Sequence, residues 1–355
     1  MRIAIVDFEF PERDRSSGGH RLFELTRIMA SRHSVHFLSV DYWRKWETQD
    51  GRHRKALEGM GVVCEHDPTG CVGERSGRFF DGACPDVAIL CRYYVCNLFS
   101  FYVRTMFPNC RIVLDTVDAH CVRERRMKAM TGRGNPEMVE RLESAAAASA
   151  DRVWTVTEND AAVMSGWNRN VDVIPNIHPV VQDRGLPFER RAGAVFVGNY
   201  VHQPNFDALW WWSNSIWTFM PVGEKLVAVG PNLPSGAMSG VEAAGWVPDL
   251  TGFLGGKKVG VAPLRYGSGM KGKIGDYLAC GLPCVTTSVG AEGMGLRDGV
   301  DCLVRDDPKA FAEAVSGLGR DKGRWEAMSE AGRRWAAGFS PEVVGPKVLA
   351  ALDRV

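Results

Sequence analysis

The chain has 355 residues, 45% of them hydrophobic and 24% charged, with a formal net charge of +1. That length and composition belong to a folded soluble protein with room for two domains, and they exclude disordered and collagen-like chains. The near-neutral balance excludes wholesale nucleic-acid binding.

The first run, MRIAIVDFEF, meets Asp7 and Glu9 and is too short for a signal peptide or a membrane span. No later stretch reaches the ~18 uninterrupted apolar residues that a span requires. RIAIVD (2–7) reads as a buried strand, followed by the polar loop PERDRSSGG. Next comes an amphipathic helix, HRLFELTRIMASR, with Leu22, Leu25, Ile28 and Met29 at helical spacing. SVHFLSV (34–40) reads as the next strand, so the chain opens with a βαβ unit and a parallel sheet. DVAILC (86–91), RIVLDT (111–116), RVWTVT (152–157) and VDVIP (171–175) continue the series.

NIHPVVQDRGLPFERRAG then has the composition of a linker. A second βα series starts at AVFVGNY (194–200) and runs through KLVAVG (225–230), VEAAGWV (241–247), KVGVAPL (258–264) and LPCVTT (282–287). Three helical segments finish the chain from about 307. The expected organisation is an N-terminal Rossmann-like domain over 1–182 and a second over 183–338. Residues 339–355 form a C-terminal helix with the option of crossing back to the first domain. Ligands in such sheets bind at the carboxyl ends of the strands. In NFDALWWWSNSIWTFM the apolar stripe is Phe206, Leu209, Trp210, Ile216 and Trp217, and three successive tryptophans cannot all face one core.

Ten cysteines are present, none in a C-x-x-C pair, which reads as reduced thiols in a cytosol rather than a disulfide framework or a metal site.

The stretch GSGMKGKI (267–274) is almost a phosphate-binding P-loop. Gly267, Gly272 and Lys273 fit, but Ile274 stands where a Ser or Thr must hold magnesium, and the stretch follows a late strand rather than a first one. A nucleotide triphosphatase is therefore set aside, while the physics of an anion site remains. Glycines admit a ligand close to the backbone. A helix starting near Met270 aims its free N–H groups and its positive end at that ligand. Arg265, Lys271 and Lys273 add cations. The plain alternative is a Gly-rich turn with surface lysines.

GNYVHQPN (198–205), PLRYGSGMKGK (263–273), the continuation GDYLACGLPCVTTSVGAEGMGL, and in the first half RSSGGHRLFELTRIMA and DTVDAHCVRERR (115–126) together resemble a family 4 glycosyltransferase of the GT-B fold. They are most similar to the branch with H-x-P-N and G-S-G-x-K-x-K motifs. The resemblance implies an α/β chain with two Rossmann-like domains facing a central cleft. It implies transfer of a sugar from a nucleotide sugar with retention, without a metal and without a cofactor other than that co-substrate. The family's signature is a pair of glutamates, and the matching positions here are Ser268 and Asp276. Asp276 keeps a carboxylate for the ribose hydroxyls, while the first carboxylate is missing. Gly267, Ser268, Gly269 and Met270 would hold the donor sugar through backbone N–H groups. Many relatives bind diphosphate with an Arg and a Lys after the first strand of this domain. This chain has Asn199 and no matching lysine, so Arg265, Lys271 and Lys273 are the expected suppliers of charge.

The same resemblance places His120 against the donor sugar, with Asp118 and Arg123 close by for the acceptor. The alternative for His120 is a structural role. Gly18 and Gly19 read either as a close approach to donor phosphate or as an ordinary helix start. Trp246 and Val247 read either as a backbone edge that meets the base or as core. YWRKWETQDGRHRKALEGM (42–60) and RERRMKAM (123–130) read as solvated helix faces, with contact to a membrane surface or an anionic acceptor as the alternative.

The expected protein is a cytoplasmic hexosyltransferase-like enzyme of polysaccharide biosynthesis, with the inner face of the membrane as an alternative site of action. Its partners are a nucleotide-sugar donor and a glycan, lipid-linked or other small acceptor, with no nucleic acid. The rival readings are a nucleotide-sugar epimerase or a sugar phosphorylase on the same fold, and a non-catalytic nucleotide-sugar-binding subunit.

Overall fold

The computed structural model of the chain describes residues 1–40, 51–67, 84–234, 236 and 238–355. They form two compact units. Unit 1 comprises Met1–Asp14, Gly18–Pro175 and Val344–Val355, and unit 2 comprises Arg15–Ser17 and Asn176–Val343.

In unit 1 the elements are β1 (Arg2–Asp7), α1 (Ser17–Ala30), β2 (Ser34–Ser39), α2 (Arg52–Glu58), β3 (Val63–His66), β4 (Val87–Cys91), α3 (Arg92–Met106), β5 (Arg111–Asp115), α4 (His120–Thr131), α5 (Pro136–Ser149), β6 (Arg152–Thr155), α6 (Glu158–Met164) and β7 (Val171–Val173). The strands make a parallel sheet in the order β3-β2-β1-β4-β5-β6-β7. Ile3–Val6 of β1 and all of β4 are buried, as continuous apolar runs require when both faces of a parallel sheet are covered. Val95, Phe99, Val103, Ala146 and Ala147 bring α3 and α5 into the same core as Leu90, Ile112 and Val153.

Unit 2 contains β8 (Ala194–Val197), α7 (Gln203–Trp211), β9 (Leu226–Val229), β10 (Val241–Gly245), α8 (Leu250–Gly255), β11 (Val259–Ala262), α9 (Gly272–Ala279), β12 (Cys284–Thr286), α10 (Ser288–Ala291), β13 (Leu303–Val304), α11 (Pro308–Leu318), α12 (Lys322–Ala337) and the start of α13 (Pro341–Leu352). Its parallel sheet has the order β10-β9-β8-β11-β12-β13. From Val344 onward α13 belongs to unit 1, where Arg354 pairs with Asp172 at 2.6 Å.

The tryptophan segment departs from the expected stripe. Helix α7 ends at Trp211, and Trp212–Ile216 form a π turn before a single 3₁₀ turn over Trp217–Phe219. Within α7 the buried set is Asn205, Ala208 and Leu209, continued by Trp212 at helical spacing, so Phe206 and Trp210 point outward and are exposed by 40% and 46%, while Trp211 and Ile216 are buried as well. β10 stops at Gly245, so Trp246 and Val247 lie beyond the strand rather than in it.

Of the segment 42–60, residues 42–50 lie outside the described residues, and 52–58 form α2. RERRMKAM lies within α4, where Arg125 and Lys128 pair with Glu140 and Glu137 of α5 at 3.0 and 2.8 Å, as a solvated face would. Cys71 also lies outside the described residues, and the nine described cysteines are free thiols. No described helix is long and apolar enough to cross a membrane.

Candidate active site

In unit 2 the strand order reverses between β8 and β11, because the chain moves outward through β9 and β10 and then returns to the other side of β8. The carboxyl ends of β8 and β11 therefore flank a crevice at a topological switch point, where doubly wound sheets bind ligands. The loop 198–202 follows β8, and the loop 263–271 follows β11 and leads into α9. Tyr277 of α9 ties this together. Its hydroxyl accepts the Val197 N–H at 2.8 Å and donates to the Val261 carbonyl at 3.2 Å. The ring needs room at Gly260, where a Cβ would come within 2.6 Å of it. Gly260→Ala is expected to destabilise the protein by ~1–3 kcal/mol, the cost of overpacking a filled core. Urea melts of variant and wild type measure this.

The loop itself is pinned at several points. Thr287 donates its hydroxyl to the Leu264 carbonyl at 2.5 Å. Gly269 has φ +66°, the left-handed conformation that glycine adopts freely. Met270 is buried, and its Sδ and carbonyl oxygen accept from the Asn176 backbone N–H and side-chain amide at 3.3 and 3.5 Å. Gly267 is buried and Ser268 half-buried. Helix α9 begins at Gly272, two residues after the expected Met270, and its first-turn N–H groups supply the dipole end that favours an anion.

The three expected cations have different surroundings. Arg265 is bidentate to Asp207, at 2.9 and 2.5 Å, with its guanidinium 5.3 Å from the centre of the Trp210 ring. It is a neutralised fork rather than a bare charge. Lys271 is buried and donates to the Gly269 carbonyl at 2.8 Å, which clamps the loop. Lys273 donates to the Asn205 side-chain oxygen, and its ammonium lies 4.5 Å from the centre of the Phe196 ring. Desolvation, with the charge of Lys271 second, pulls its pKa from 10.5 down to about 7. Asp207 and Asn205 sit in the H-x-P-N stretch and its continuation, and neither was singled out from sequence.

Asp276 lies in the second turn of α9, and its side chain is one-third exposed. Trp246 is 39% exposed and Val247 half-buried.

In unit 1 the strand order reverses between β1 and β4. Arg92, the first residue of α3, makes two short bonds to Asp7 at the end of β1, at 2.5 and 2.6 Å. Arg92 and Val117 have φ +71° and +65°. For a β-branched valine this is backbone strain of roughly 1–3 kcal/mol, of the kind that collects at ligand-binding edges. A Cβ on Gly18 would sit 3.5 Å from Arg92 and 3.6 Å from Val117, in ordinary contact. At Gly19 a Cβ would come within 2.6–2.9 Å of the Glu12 backbone, so it is the chain's own loop that requires this glycine.

His120 opens α4. Glu143 of α5, 2% exposed, accepts the backbone N–H groups of His120 and Cys121 at 2.7 and 2.8 Å, which caps the helix. His120 Nδ1 is 3.2 Å from Glu143 Oε1 and 3.3 Å from Asp118 Oδ1, and Arg123 donates to Asp118 at 3.0 Å. The rings of Tyr93 and Tyr94 stand edge-on to His120 at 5.3 and 6.4 Å. Asp118, His120 and Arg123 are thus brought together. Asp7, Arg92, Glu143 and the two tyrosines complete the edge without a local sequence signal.

Residues 191–321 match the family model described as glycosyl transferases group 1. Among curated proteins, none matches the chain by sequence. Solved structures match along nearly its whole length. Sucrose-phosphate synthase from Thermosynechococcus elongatus is 15% identical, with a TM-score of 0.75 over 99% of this chain and 98% of that one. The Anabaena protein HepE in complex with UDP and glucose is 12% identical, with a TM-score of 0.76 over 99% of each chain. A glycosyltransferase from Rickettsia africae is 11% identical, with a TM-score of 0.68 over 99% of this chain and 97% of that one. At such identities the likeness is one of fold. The chain has the α/β two-domain fold of GT-B glycosyltransferases, and residues 191–321 are similar to the group 1 glycosyltransferase family model.

Proposed function

We propose that the protein transfers a hexosyl group from a nucleoside-diphosphate sugar, held by unit 2, to a glycan, lipid-linked or other small acceptor that uses the edge of unit 1. The observation that carries this reading is the loop 263–271. It ends a strand at the switch point, leads into the N-terminus of α9, and lies inside the segment matched by the glycosyltransferase family model. HepE, in its complexes with UDP and with UDP-glucose, supports a donor of this class.

In this reading the first-turn N–H groups of α9 and the ammonium of Lys273 meet the diphosphate, whose charge grows as the glycosidic bond breaks. Fixed donors at a developing charge are commonly worth ~3 kcal/mol each. Asp276 meets the ribose, and the backbone of 267–270 meets the sugar. In unit 1, His120, Asp118 and Arg123 form the edge that the acceptor uses. Transfer proceeds with retention, the donor phosphate taking the acceptor proton. A thermal-shift panel of nucleotide sugars identifies the donor, and NMR of the product's anomeric centre reads the stereochemistry. An inverted product would remove the retaining mechanism, and a panel with no hit would remove the donor site.

The diphosphate is held here by N–H groups and a lysine, so EDTA is expected to leave at least about half the transfer rate. A strict requirement for magnesium or manganese would show that a cation completes the site.

Ser268, in place of a carboxylate, favours a second reading, a nucleotide-sugar-binding subunit without activity of its own. Donor binding without transfer to any acceptor would establish it, and conversion of the donor with no acceptor present would point instead to an epimerase.

A further inference from the structure

The helix does not hold the Asp276 carboxylate alone. Its Oδ1 lies 3.1 Å from Nδ1 of His178. His178 is only 2% exposed, and its backbone is tied down by donation to the Phe339 carbonyl at 2.9 Å. The ring lies against α9 where Gly275 has no side chain, since a Cβ there would come within 2.1 Å of Nε2. Trp335 closes the other side, with ring centres 6.3 Å apart. Nε2 is buried and makes no hydrogen bond to any of the described residues.

A buried ring nitrogen without a partner costs stability, and a phenyl or leucyl side chain would fill the same space without one. What the imidazole adds is the bond to Asp276. The Nε2–H tautomer would set the Nδ1 lone pair against a carboxylate oxygen, so the geometry selects Nδ1–H.

We infer that His178 is a positioning residue for nucleotide binding. Its Nδ1–H fixes the Asp276 rotamer through Oδ1 and leaves Oδ2 to accept from the vicinal hydroxyls of the donor's ribose. The ordering of the carboxylate is completed on folding, so nucleotide binding does not bear it. This inference rests on the ribose role proposed for Asp276, and its test separates the two.

Calorimetry with UDP, GDP and TDP first finds the diphosphate that the wild type binds best. With that probe, Asp276→Asn is expected to weaken binding by about tenfold, the difference between a charged and a neutral hydrogen bond. His178→Phe keeps the shape and loses the donor, and is expected to weaken binding by about tenfold as well. His178→Asn, whose amide can take the place of Nδ1, is expected to stay within about threefold of wild type. On the Asp276→Asn background, His178→Phe should change affinity by less than about twofold, because the two side chains act as one unit. If Asp276→Asn binds like wild type, the ribose role fails, and the inference with it. If Asp276→Asn weakens binding but His178→Phe does not, the ribose role stands and the inference is overturned. Equal losses from His178→Phe on both backgrounds would mean packing alone, and would also overturn it. Nitrogen-15 NMR of the wild type gives a check that needs no variant to fold. A protonated Nδ1 with an unprotonated Nε2 supports the inference, and the reverse tautomer refutes it.

Discussion

Replacing Lys273 with methionine is expected to lower the transfer rate at saturating donor by roughly 10²–10³, the usual loss when one fixed partner of a developing charge is removed. Arg265 is already bidentate to Asp207, and Lys271 is turned into its own loop. Among the described residues Lys273 makes no ion pair; its ammonium donates to the Asn205 amide oxygen and lies over the face of Phe196. Methionine keeps most of the length and fills the same cavity. The variant should therefore fold, and should bind the bare nucleoside diphosphate more weakly. Turnover within about threefold of wild type would remove Lys273 from the mechanism.

The depressed pKa of Lys273, about 7, gives the prediction a second readout. At neutral pH and above, part of the unliganded protein holds this lysine without its proton. A bound diphosphate favours the charged form, so binding should take up a proton between about pH 7 and 9. Calorimetry in buffers of different ionisation enthalpy measures that uptake. Protons released by the phosphate itself oppose it, but they are common to wild type and Lys273→Met, so the difference between the two isolates the lysine.

The stability sign is also determined. The folded pKa lies below the unfolded 10.5, so between about 7 and 10.5 the unfolded chain binds more protons and stability rises with pH. Lys273→Met should lack this rise, and should be more stable than wild type below pH ~7, where the desolvated ammonium is fully charged. A variant that is more stable and yet slower cannot owe its slowness to misfolding.

How far the molecule could be read from its sequence follows from which forces are local. β1, β4 and β5 announce themselves as runs of apolar residues, because both faces of a parallel strand are covered. β3 reads VCEH with only Cys64 buried, and β13 is two residues long, so neither has a run to find. The tryptophan stripe was misplaced within α7 itself, because apolar residues stand all round that segment and its period alone does not say which face turns inward. The loop 263–273 stood out because glycines and lysines gather just ahead of a helix, and α9 does begin there, at Gly272. Its partners were not. Asp207 meets Arg265 across 58 positions and Glu143 meets His120 across 23, and no spacing rule connects them. His178 lay in what read as linker, and Gly275, the residue that makes room for it, is 97 positions away.

Arg21 is the sharpest case, and its loss is expected to be the most destabilising single change in unit 1. In the sequence it is one more cation at the start of an amphipathic helix. In the fold it is 1% exposed, and Nη1 donates to both oxygens of Asp115 at 2.9 and 2.6 Å. Nε and Nη2 donate to the Ile174 carbonyl at 3.3 and 2.9 Å. One guanidinium thus ties α1 to the end of β5 and to the residue after β7. Arg21→Met leaves the Asp115 carboxylate buried without a partner, which typically costs ~3–5 kcal/mol. Arg21→Met with Asp115→Leu removes both charges and should recover much of the loss. Hydrogen exchange of the β5 amides reads unit 1 alone, as a two-unit chain requires. A single variant within about 1 kcal/mol of wild type would show that the pair is dispensable. The consequence reaches the site, because Asp115 is the last residue of β5 and the strained Val117, Asp118 and His120 follow it directly. Where the single variant folds, its transfer rate should fall further than its remaining stability explains, and the double variant should regain stability before activity.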